Sequence, residues 1–333
     1  MQFTYILGID ISKDTIDLAL SQNKANTNIV NSKFSNNLKG YKALLKWFKN
    51  QGVKTEQLLI CLENTGIYHR PLTAFLLSEQ AFVWVENALE IKWSMGLQRG
   101  KNDQIDAQRI CLYAFRNQDK AQAYSPKDNS LQDLADLLAT RERLVEVRKM
   151  LLVPIKELKQ VGLEAESKNV EKSCKKTLSG IDKDIEAIEK GLENIIAQHK
   201  EIDDNYWSVC SVPNVGKITA LYLLVATNNF KRFDDAKQLA SYCGIAPFEY
   251  RSGTSVRGKT KVNHMANKKL KKALHLCAVS SLRHRSEMSL YYKHKTEEGK
   301  NKMSVINAIR NKLLQRIFAC VREKRMYIVK QAS

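Results

Sequence analysis

The order of the predicted elements in the first third of the chain limits the fold more than any other feature. Three short segments have strand-like composition and are separated by turn residues: 3–9, 16–20 and 29–34. Apolar residues at helical spacing then predict a helix over 38–49. Three neighbouring strands of this kind can pair as an antiparallel meander.

The following segments alternate between helix and strand. We predict a buried strand at 57–62, a helix at about 68–79, a strand at 82–85 and a further helix. A meander followed by alternating helix and strand is the order of an RNase H-like α/β fold, in which both faces of the sheet carry helices. The predicted first domain covers residues 1–125.

Four carboxylates are placed at positions that favour a metal site. Asp10 and Glu63 each follow a predicted strand, where a side chain can leave the core. Asp103 and Asp106 are three residues apart, so a helix would place them on one face. Magnesium prefers oxygen ligands of this kind, and phosphodiester chemistry with two metal ions needs several of them. Three nearby cations would offset the repulsion between the carboxylates: Arg99, Lys101 and Arg109.

Each carboxylate also has an ordinary structural interpretation. An aspartate at a strand end is often a turn or cap residue, Asp103 could cap the helix that starts there, and Asp106 could lie on its solvated face. Asp14 and Asp17 also lie near the first strand. We consider them weaker candidates for metal ligands than Asp10, because Asp17 lies inside the predicted second strand, within its alternation of apolar and polar residues. The joint occurrence of the four on a matching strand order favours the metal site.

Residues 8–15 also resemble the first phosphate loop of actin-like ATPases and sugar kinases. Those folds require a second Asp-x-Gly loop and a Gly-Gly adenosine motif. The chain contains no Gly-Gly pair, which argues against a kinase.

The charge is concentrated at one end of the chain. Residues 251–333 contain 21 Lys or Arg and 4 Asp or Glu, a net of +17 out of +19 for the 333 residues. A polyanionic partner, above all nucleic acid, explains such an imbalance. The alternative is a solvated face that only increases solubility.

Cysteine usage and hydropathy favour a cytoplasmic protein. The seven cysteines are scattered, and no Cys-x-x-Cys occurs, so we expect reduced thiols and no zinc ribbon. We see no signal-peptide pattern and no apolar run of about 18 residues.

The middle region, residues 126–204, is dominated by Leu, Ile, Glu and Lys at helical spacing. It predicts long antiparallel helices, broken near Gly162 and again around Gly180. Dimerisation through a coiled coil, or spacing between domains, is one role. A bundle that packs only on its own chain is the alternative.

The third region, residues 205–333, is predicted to be mainly helical. Residues 212–217 form a turn before an apolar helix and resemble the hairpin of helix-hairpin-helix modules, which bind phosphate at a helix start. Asn214 occupies a place where such hairpins usually carry Gly, and Asn tolerates left-handed backbone. Lys217 would be a DNA contact here. A plain helix-turn-helix connector remains the alternative.

Several motifs together resemble the DEDD-type transposases of bacterial insertion sequences. Their order along the chain is the family's order: Gly8-Ile9-Asp10, Glu63-Asn64-Thr65-Gly66, Lys101-Asn102-Asp103-x-x-Asp106-Ala107 and the block that begins Ser252-Gly253. The N-terminal domain of that family is similar to the RuvC Holliday-junction resolvase. One departure is Ala266, where the family usually has Gly before the residue that stands here as Asn267.

The resemblance implies a recombinase with a composite active site. Its carboxylates, here Asp10, Glu63, Asp103 and Asp106, would bind Mg²⁺, with Mn²⁺ as a substitute. Ser252 would attack DNA and become linked to a phosphate, with Ser255 as the second choice. Basic residues of the third region would contact the nucleic-acid backbone: Arg251, Arg257, Lys259, Lys261, Lys268, Lys269, Lys271 and Lys272. Their alternative role is that of a solvated basic face.

The resemblance also implies partners. Members of the family use a structured noncoding RNA, a bridge RNA, that pairs with donor and target DNA, and we expect a homodimer that assembles into a tetramer on DNA. Two other functions stay open at this point. One is a RuvC-like junction nuclease without a serine intermediate, and the other is a non-catalytic nucleic-acid-binding protein.

Overall fold

The computed structural model describes residues 3–24, 28–96, 102–126, 128–252, 256–262, 266–283 and 286–328, with backbone only for 248–252 and 256–261. The chain forms two compact units, residues 1–126 and 127–333. The first is an α/β unit built on a mixed sheet, and the second is helical apart from one hairpin. No helix in these ranges is long and apolar enough to cross a membrane.

The first unit contains one five-stranded sheet. Its strands are β1 (Tyr5–Ile11), β2 (Thr15–Gln22), β3 (Val30–Ser35), β4 (Leu58–Glu63) and β5 (Phe82–Glu86). The spatial order is β3-β2-β1-β4-β5. The first three strands pair antiparallel, whereas β4 and β5 run parallel to β1 and to each other. The predicted meander and alternation are therefore present.

Helices cover both faces of this sheet. They are α1 (Leu38–Asn50), α2 (Arg70–Ser78), α3 (Ala88–Ser94) and α4 (Asp103–Arg116). Leu7 and Ile9 of β1 point to the side of α1 and α2 and share a core with them. Ile6 and its neighbours on the other face share a core with α4. Because side chains alternate along a strand, β1 contributes to both cores.

The predicted end of the first strand was wrong by two residues. The strand continues through Asp10 to Ile11, and the turn to β2 closes only where the amide of Ser12 donates to the carbonyl of Thr15, at 2.9 Å. Asp10 therefore lies within the hydrogen-bonded ladder, directly opposite Asp17 of β2.

The second unit begins with two long helices, α5 (Asn129–Gln160) and α6 (Glu164–Gln198). Arg141 lies 2.7 Å from Glu189, and Arg148 lies 2.6 Å from Asp182, so the helices run antiparallel. The predicted break near Gly162 is present, at φ +86°. The break predicted around Gly180 is wrong, because a single exposed glycine inside 35 helical residues costs too little to end the helix.

In the part of the chain that the structure describes, the second unit continues with eight further elements, and the helices among them share one apolar core. They are α7 (Lys200–Cys210), α8 (Lys217–Thr227), α9 (Ala236–Tyr242), β6 (Pro247–Ser252), β7 (Val256–Val262), α10 (Lys268–Ser280), α11 (Glu287–Glu297) and α12 (Lys302–Arg322). Leu134 of α5 and Leu192 of α6 belong to the same core. The predicted boundary at 204/205 between a helical middle and a C-terminal domain stays a prediction.

Candidate functional site

One end of the sheet carries a row of carboxylates on the face that packs against α4. Asp10 lies opposite Asp17 in the antiparallel pair of β1 and β2. Ile9 pairs with Leu62, so Asp10 and Glu63 follow at adjacent positions of β1 and β4. Glu63 in turn pairs with Glu86 of β5. These four side chains, Asp17, Asp10, Glu63 and Glu86, are called the carboxylate row below.

The first turn of α4 adds two more carboxylates, Asp103 and Asp106. The N-cap of this helix is Asn102, whose side chain accepts from the amide of Gln104 at 3.1 Å. The interpretation of Asp103 as the cap is therefore wrong. The helix dipole favours acidic residues in a first turn, which offsets part of the repulsion between these two side chains and the carboxylate row.

Asp10 lies at the centre of this negative charge. Burial, together with the charges of neighbouring carboxylates, raises the pKa of its carboxyl to about 6. The neighbours that contribute are Asp106, Asp103, Glu63 and Asp17, in decreasing order. The predicted set of four therefore converges on Asp10, and Asp17 joins it.

Two cations partly neutralise the cluster. Arg109 donates to Asp106 at 2.7 Å, as its position on α4 predicts. Lys33 lies 2.9 Å from Asp17 and 3.8 Å from Asp103. The sequence analysis missed Lys33, although β3 places it directly opposite Asp17. Arg99 and Lys101 lie outside the described residues.

Glu86 is engaged in structural bonds. Its Oε1 accepts from the amide of Asn87 at 2.6 Å, and its Oε2 accepts from the hydroxyl of Tyr113 at 3.0 Å. Burial and this hydrogen bond raise the pKa of Tyr113. Glu86 therefore orients α4 through Tyr113, and both of its carboxylate oxygens are already engaged in hydrogen bonds.

The carboxylates form a negatively charged surface, but they are not arranged as a preformed metal-binding site. Within the described ranges, no group of three or more His, Cys, Asp or Glu side chains is arranged to hold a metal ion as it stands. Like charges repel, and Lys33 and Arg109 draw oxygens of Asp17 and Asp106 toward themselves. The donor chemistry fits a hard divalent cation, and binding would require these side chains to turn inward.

Ser252 is the last residue of β6, where its backbone pairs with Val256 of β7. Arg251 pairs with Arg257 one position further down the hairpin. Ser255 lies outside the described residues. This hairpin was not predicted from the sequence, because its two short strands carry little apolar periodicity.

The predicted basic contacts are in different environments. Lys217 lies 2.8 Å from Glu193, and Lys269 forms an ion pair with Glu142. Four lysines occupy the first two turns of α10: Lys268, Lys269, Lys271 and Lys272. Positive charge at a helix start opposes the helix dipole, and a bound polyanion would relieve that repulsion. Arg257, Lys259 and Lys261 occupy alternate positions of β7.

Two turns of the second unit follow the sequence analysis. Asn214 has φ +67°, the left-handed conformation, and Gly216 precedes the first residue of α8. Asn267 caps α10, its side chain accepting from the amide of Leu270 at 3.1 Å. The cap therefore forms with Ala266 before it.

Comparison with known proteins gives two family matches. Residues 7–158 match the model of the DEDD transposases of the IS110 type, and residues 208–293 match the model described as "Transposase IS116/IS110/IS902 family". The first range contains all four predicted carboxylates, and the second contains Ser252.

Curated relatives agree with these matches. The chain is 30% identical over 331 residues to a "Pilin gene-inverting protein" of Moraxella bovis, which covers 98% of both chains. The protein of that name from Moraxella lacunata matches at the same identity and coverage. A "Transposase for insertion sequence element IS1111A" of Coxiella burnetii is 26% identical over 227 residues, covering 55% of this chain and 61% of its own.

Proposed function

The chain belongs to the IS110-type family of DEDD transposases, and we propose that this DNA transposase cuts and rejoins strands with a divalent-metal site at the carboxylate row and Ser252 as nucleophile. The observation that carries the metal site is the position of Asp10 among four other carboxylates. Like charges directly opposite each other across a sheet are destabilising, so such a cluster is maintained for a function that needs it.

Asp10, Glu63, Asp103 and Asp106 would hold Mg²⁺, or Mn²⁺ in its place. When bound, the cation polarises the scissile phosphate and lowers the pKa of the attacking hydroxyl. Lys33 lies 2.9 Å from Asp17, and Arg109 lies 2.7 Å from Asp106, so two cations offset part of the negative charge around the proposed site.

The topology of the first unit supports an RNase H-like, RuvC-like fold. The order β3-β2-β1-β4-β5, with an antiparallel meander and two parallel strands, is the arrangement expected for that fold. The central strand β1 carries Asp10, and the parallel neighbour β4 ends at Glu63. Both acids therefore lie at the same end of the sheet, where the strands finish and a substrate can approach.

The position of Ser252 at the end of β6 supports its role as nucleophile. Arg251 and Arg257 pair in the ladder directly beside the pair of Ser252 and Val256, which places two residues of a phosphate-binding type next to the proposed nucleophile. In the proposed step the Ser252 oxygen bonds to phosphorus and its proton passes to water, while the bond to the sugar oxygen breaks and that oxygen takes a proton from water to leave as a hydroxyl. The reverse step with a new strand's hydroxyl rejoins the DNA and conserves the bond energy.

Assembly and guidance are further parts of the proposal. The long helix α5 leaves Met150 70% exposed and Val147 43% exposed, which supports a homodimer, and a tetramer on two duplexes, formed through this surface. The net charge of +17 in residues 251–333 suits a structured guide RNA as well as DNA, because phosphate contacts carry no sequence information.

Two substitutions separate this function from its alternatives, a junction nuclease and a non-catalytic binder. Purified full-length protein would be mixed with DNA carrying its element's ends, with and without the flanking noncoding RNA, and scored for cleavage, strand exchange and protein–DNA linkage. Asp10→Asn and Ser252→Ala should each abolish exchange and linkage and keep nucleic-acid binding. A nuclease would lose cleavage only with Asp10→Asn. A protein–DNA linkage that still forms with Ser252→Ala would rule out Ser252 as the nucleophile.

A further inference from the structure

A cavity of about 750 Å³ lies in the second unit between α10, α12 and the open end of the β6–β7 hairpin. One part of its wall is apolar: Ile245, Pro247, Val262, Met303 and Ala308. The other part offers hydrogen-bond donors and positive charge: Lys271, Ser304, Asn307, Arg310 and Asn311. A wall divided in this way suits a ligand with a flat apolar body and an anionic group.

Arg310 is the unusual residue of this wall. It is only 6% exposed, yet no carboxylate among the described residues pairs with it. One Nη bonds to Nδ1 of His275 at 2.7 Å, the other lies 3.5 Å from the side-chain oxygen of Asn307, and the buried Nε has no partner. An unpaired buried charge is costly, so the guanidinium is held ready for an anion.

The hydrogen bond between Arg310 and His275 leaves the positive charge of Arg310 without a counter-charge. Arginine has no acceptor and stays protonated, so Nδ1 of His275 must accept, and the ring is neutral in this contact. Burial and the adjacent Arg310 lower the pKa of His275. His275 orients the guanidinium without neutralising it, and the charge remains available to the cavity.

We infer that this cavity binds one nucleoside phosphate unit, with the phosphate on Arg310 and Lys271 and the base against Pro247, Val262 and Met303. Asn311 supplies an amide group that can meet the polar edge of a base, whereas the amide nitrogen of Asn307 donates to the carbonyl of Ile245 at 2.7 Å and fixes this part of the wall. The bound nucleoside phosphate is either an unpaired nucleotide of the nucleic acid on which the enzyme acts or a free nucleotide.

The place of the cavity in the hairpin gives the site a role. Pro247 and Val262, which pair at the open end of the hairpin, both line it. Ser252 lies five residues along β6 from Pro247, about 16 Å of extended strand. An unpaired nucleotide held at the open end would anchor a strand beside the hairpin. The inference rests on action on DNA and is independent of the carboxylate site.

The test compares binding of a single-stranded oligonucleotide and a blunt duplex to the full-length protein by fluorescence anisotropy at one salt concentration. Arg310→Met should weaken single-strand binding about tenfold, the value of a charge-assisted hydrogen bond, and change duplex binding less than about twofold. Ala308→Leu, which fills the cavity without changing charge, should have the same selective effect. Arg322→Met removes one exposed positive charge from α12 and is the matched control.

The outcomes are distinct. If Arg310→Met does not fold, Ala308→Leu decides alone. If Arg310→Met weakens single-strand and duplex binding equally, Arg310 contributes only general electrostatic attraction and the inference is wrong. The inference is also wrong if Ala308→Leu leaves single-strand binding unchanged.

Competition experiments identify the source of the ligand. If dAMP alone competes, the site binds a free nucleotide; if only an oligonucleotide competes, the site binds an unpaired nucleotide of a strand. Inorganic phosphate competing as well as dAMP would contradict a base site. Asp10→Asn protein should bind normally, which separates this result from failure of the metal site.

Discussion

The backbone nitrogen of Cys111 lies 2.3 Å from the position that a β-carbon on Gly8 would occupy. Only glycine therefore lets α4 approach the central strand so closely. The approach brings the first turn of α4, with Asp103 and Asp106, over the end of β1 that carries Asp10. One missing side chain thus supports the whole carboxylate cluster.

Substituting Gly8 by Ala should lower the free energy of unfolding by about 3 kcal/mol, because α4 backbone cannot move aside as a flexible side chain would. Urea denaturation measures the change. Gly180→Ala is the control: it lies on exposed α6 with no atom within 4 Å of its added carbon, and should raise stability by about 0.5–1 kcal/mol. An unchanged Gly8→Ala protein would show that α4 can shift at little cost.

Asp10 should make stability depend on pH in the absence of divalent cations. Its pKa is about 6 in the folded protein against about 3.9 in the unfolded chain, so the folded state binds more protons between these values. Stability should therefore fall as pH rises from about 4 to about 6 and then stay level, and because Asp10 is partly exposed, solvent screening should keep the loss well below the ~3 kcal/mol of the full shift.

Asp10→Asn lacks the ionisable carboxyl and should not lose stability in this way. The stability of the variant relative to wild type should therefore increase from about pH 4 to about pH 6, as measured by the midpoints of urea denaturation in the presence of a chelator. Exposed Asp119→Asn is the control and should follow wild type at each pH. Addition of Mg²⁺ at pH 7 should stabilise the wild type more than Asp10→Asn. Parallel pH profiles for wild type and Asp10→Asn would refute the interpretation.

Lys33 should be needed mainly for Asp17. Its removal in Lys33→Met leaves Asp17, only 7% exposed, without its 2.9 Å partner, and the melting temperature at pH 7 should fall. The double variant Lys33→Met/Asp17→Asn should regain most of the loss, and Mg²⁺ should stabilise Lys33→Met more than wild type. Additive losses in the double variant would show that the two side chains act independently.

Asn214 should tolerate glycine and reject β-branched residues. At φ +67° a valine would cost about 1–2 kcal/mol of unfolding free energy, whereas Asn214→Gly should stay within about 0.5 kcal/mol of wild type. Thermal denaturation of both variants checks this. Nucleic-acid binding at the same turn should fall with Asn214→Val and remain with Asn214→Gly. Equal stability of the two variants would show that the turn can relax to negative φ.

The local elements were predictable because hydrophobic periodicity and capping are properties of neighbouring residues. The strands of the first unit and the start of α4 at Asp103 were found in this way. Strand ends were less certain, as Asp10 shows, because the end of a strand depends on the partner that pairs with it. The β6–β7 hairpin was missed for a similar reason, since two short basic strands carry little apolar periodicity.

The sequence by itself determined the identity of the acids, the concentration of positive charge in residues 251–333 and the order of helices and strands. Only the tertiary structure decided that Asp17 and Lys33 join Asp10, and that Arg310 stays buried without a carboxylate. The physical reason is that cross-strand register and burial arise from contacts between distant segments. A one-residue change of register would turn Asp17 to the opposite face of the sheet.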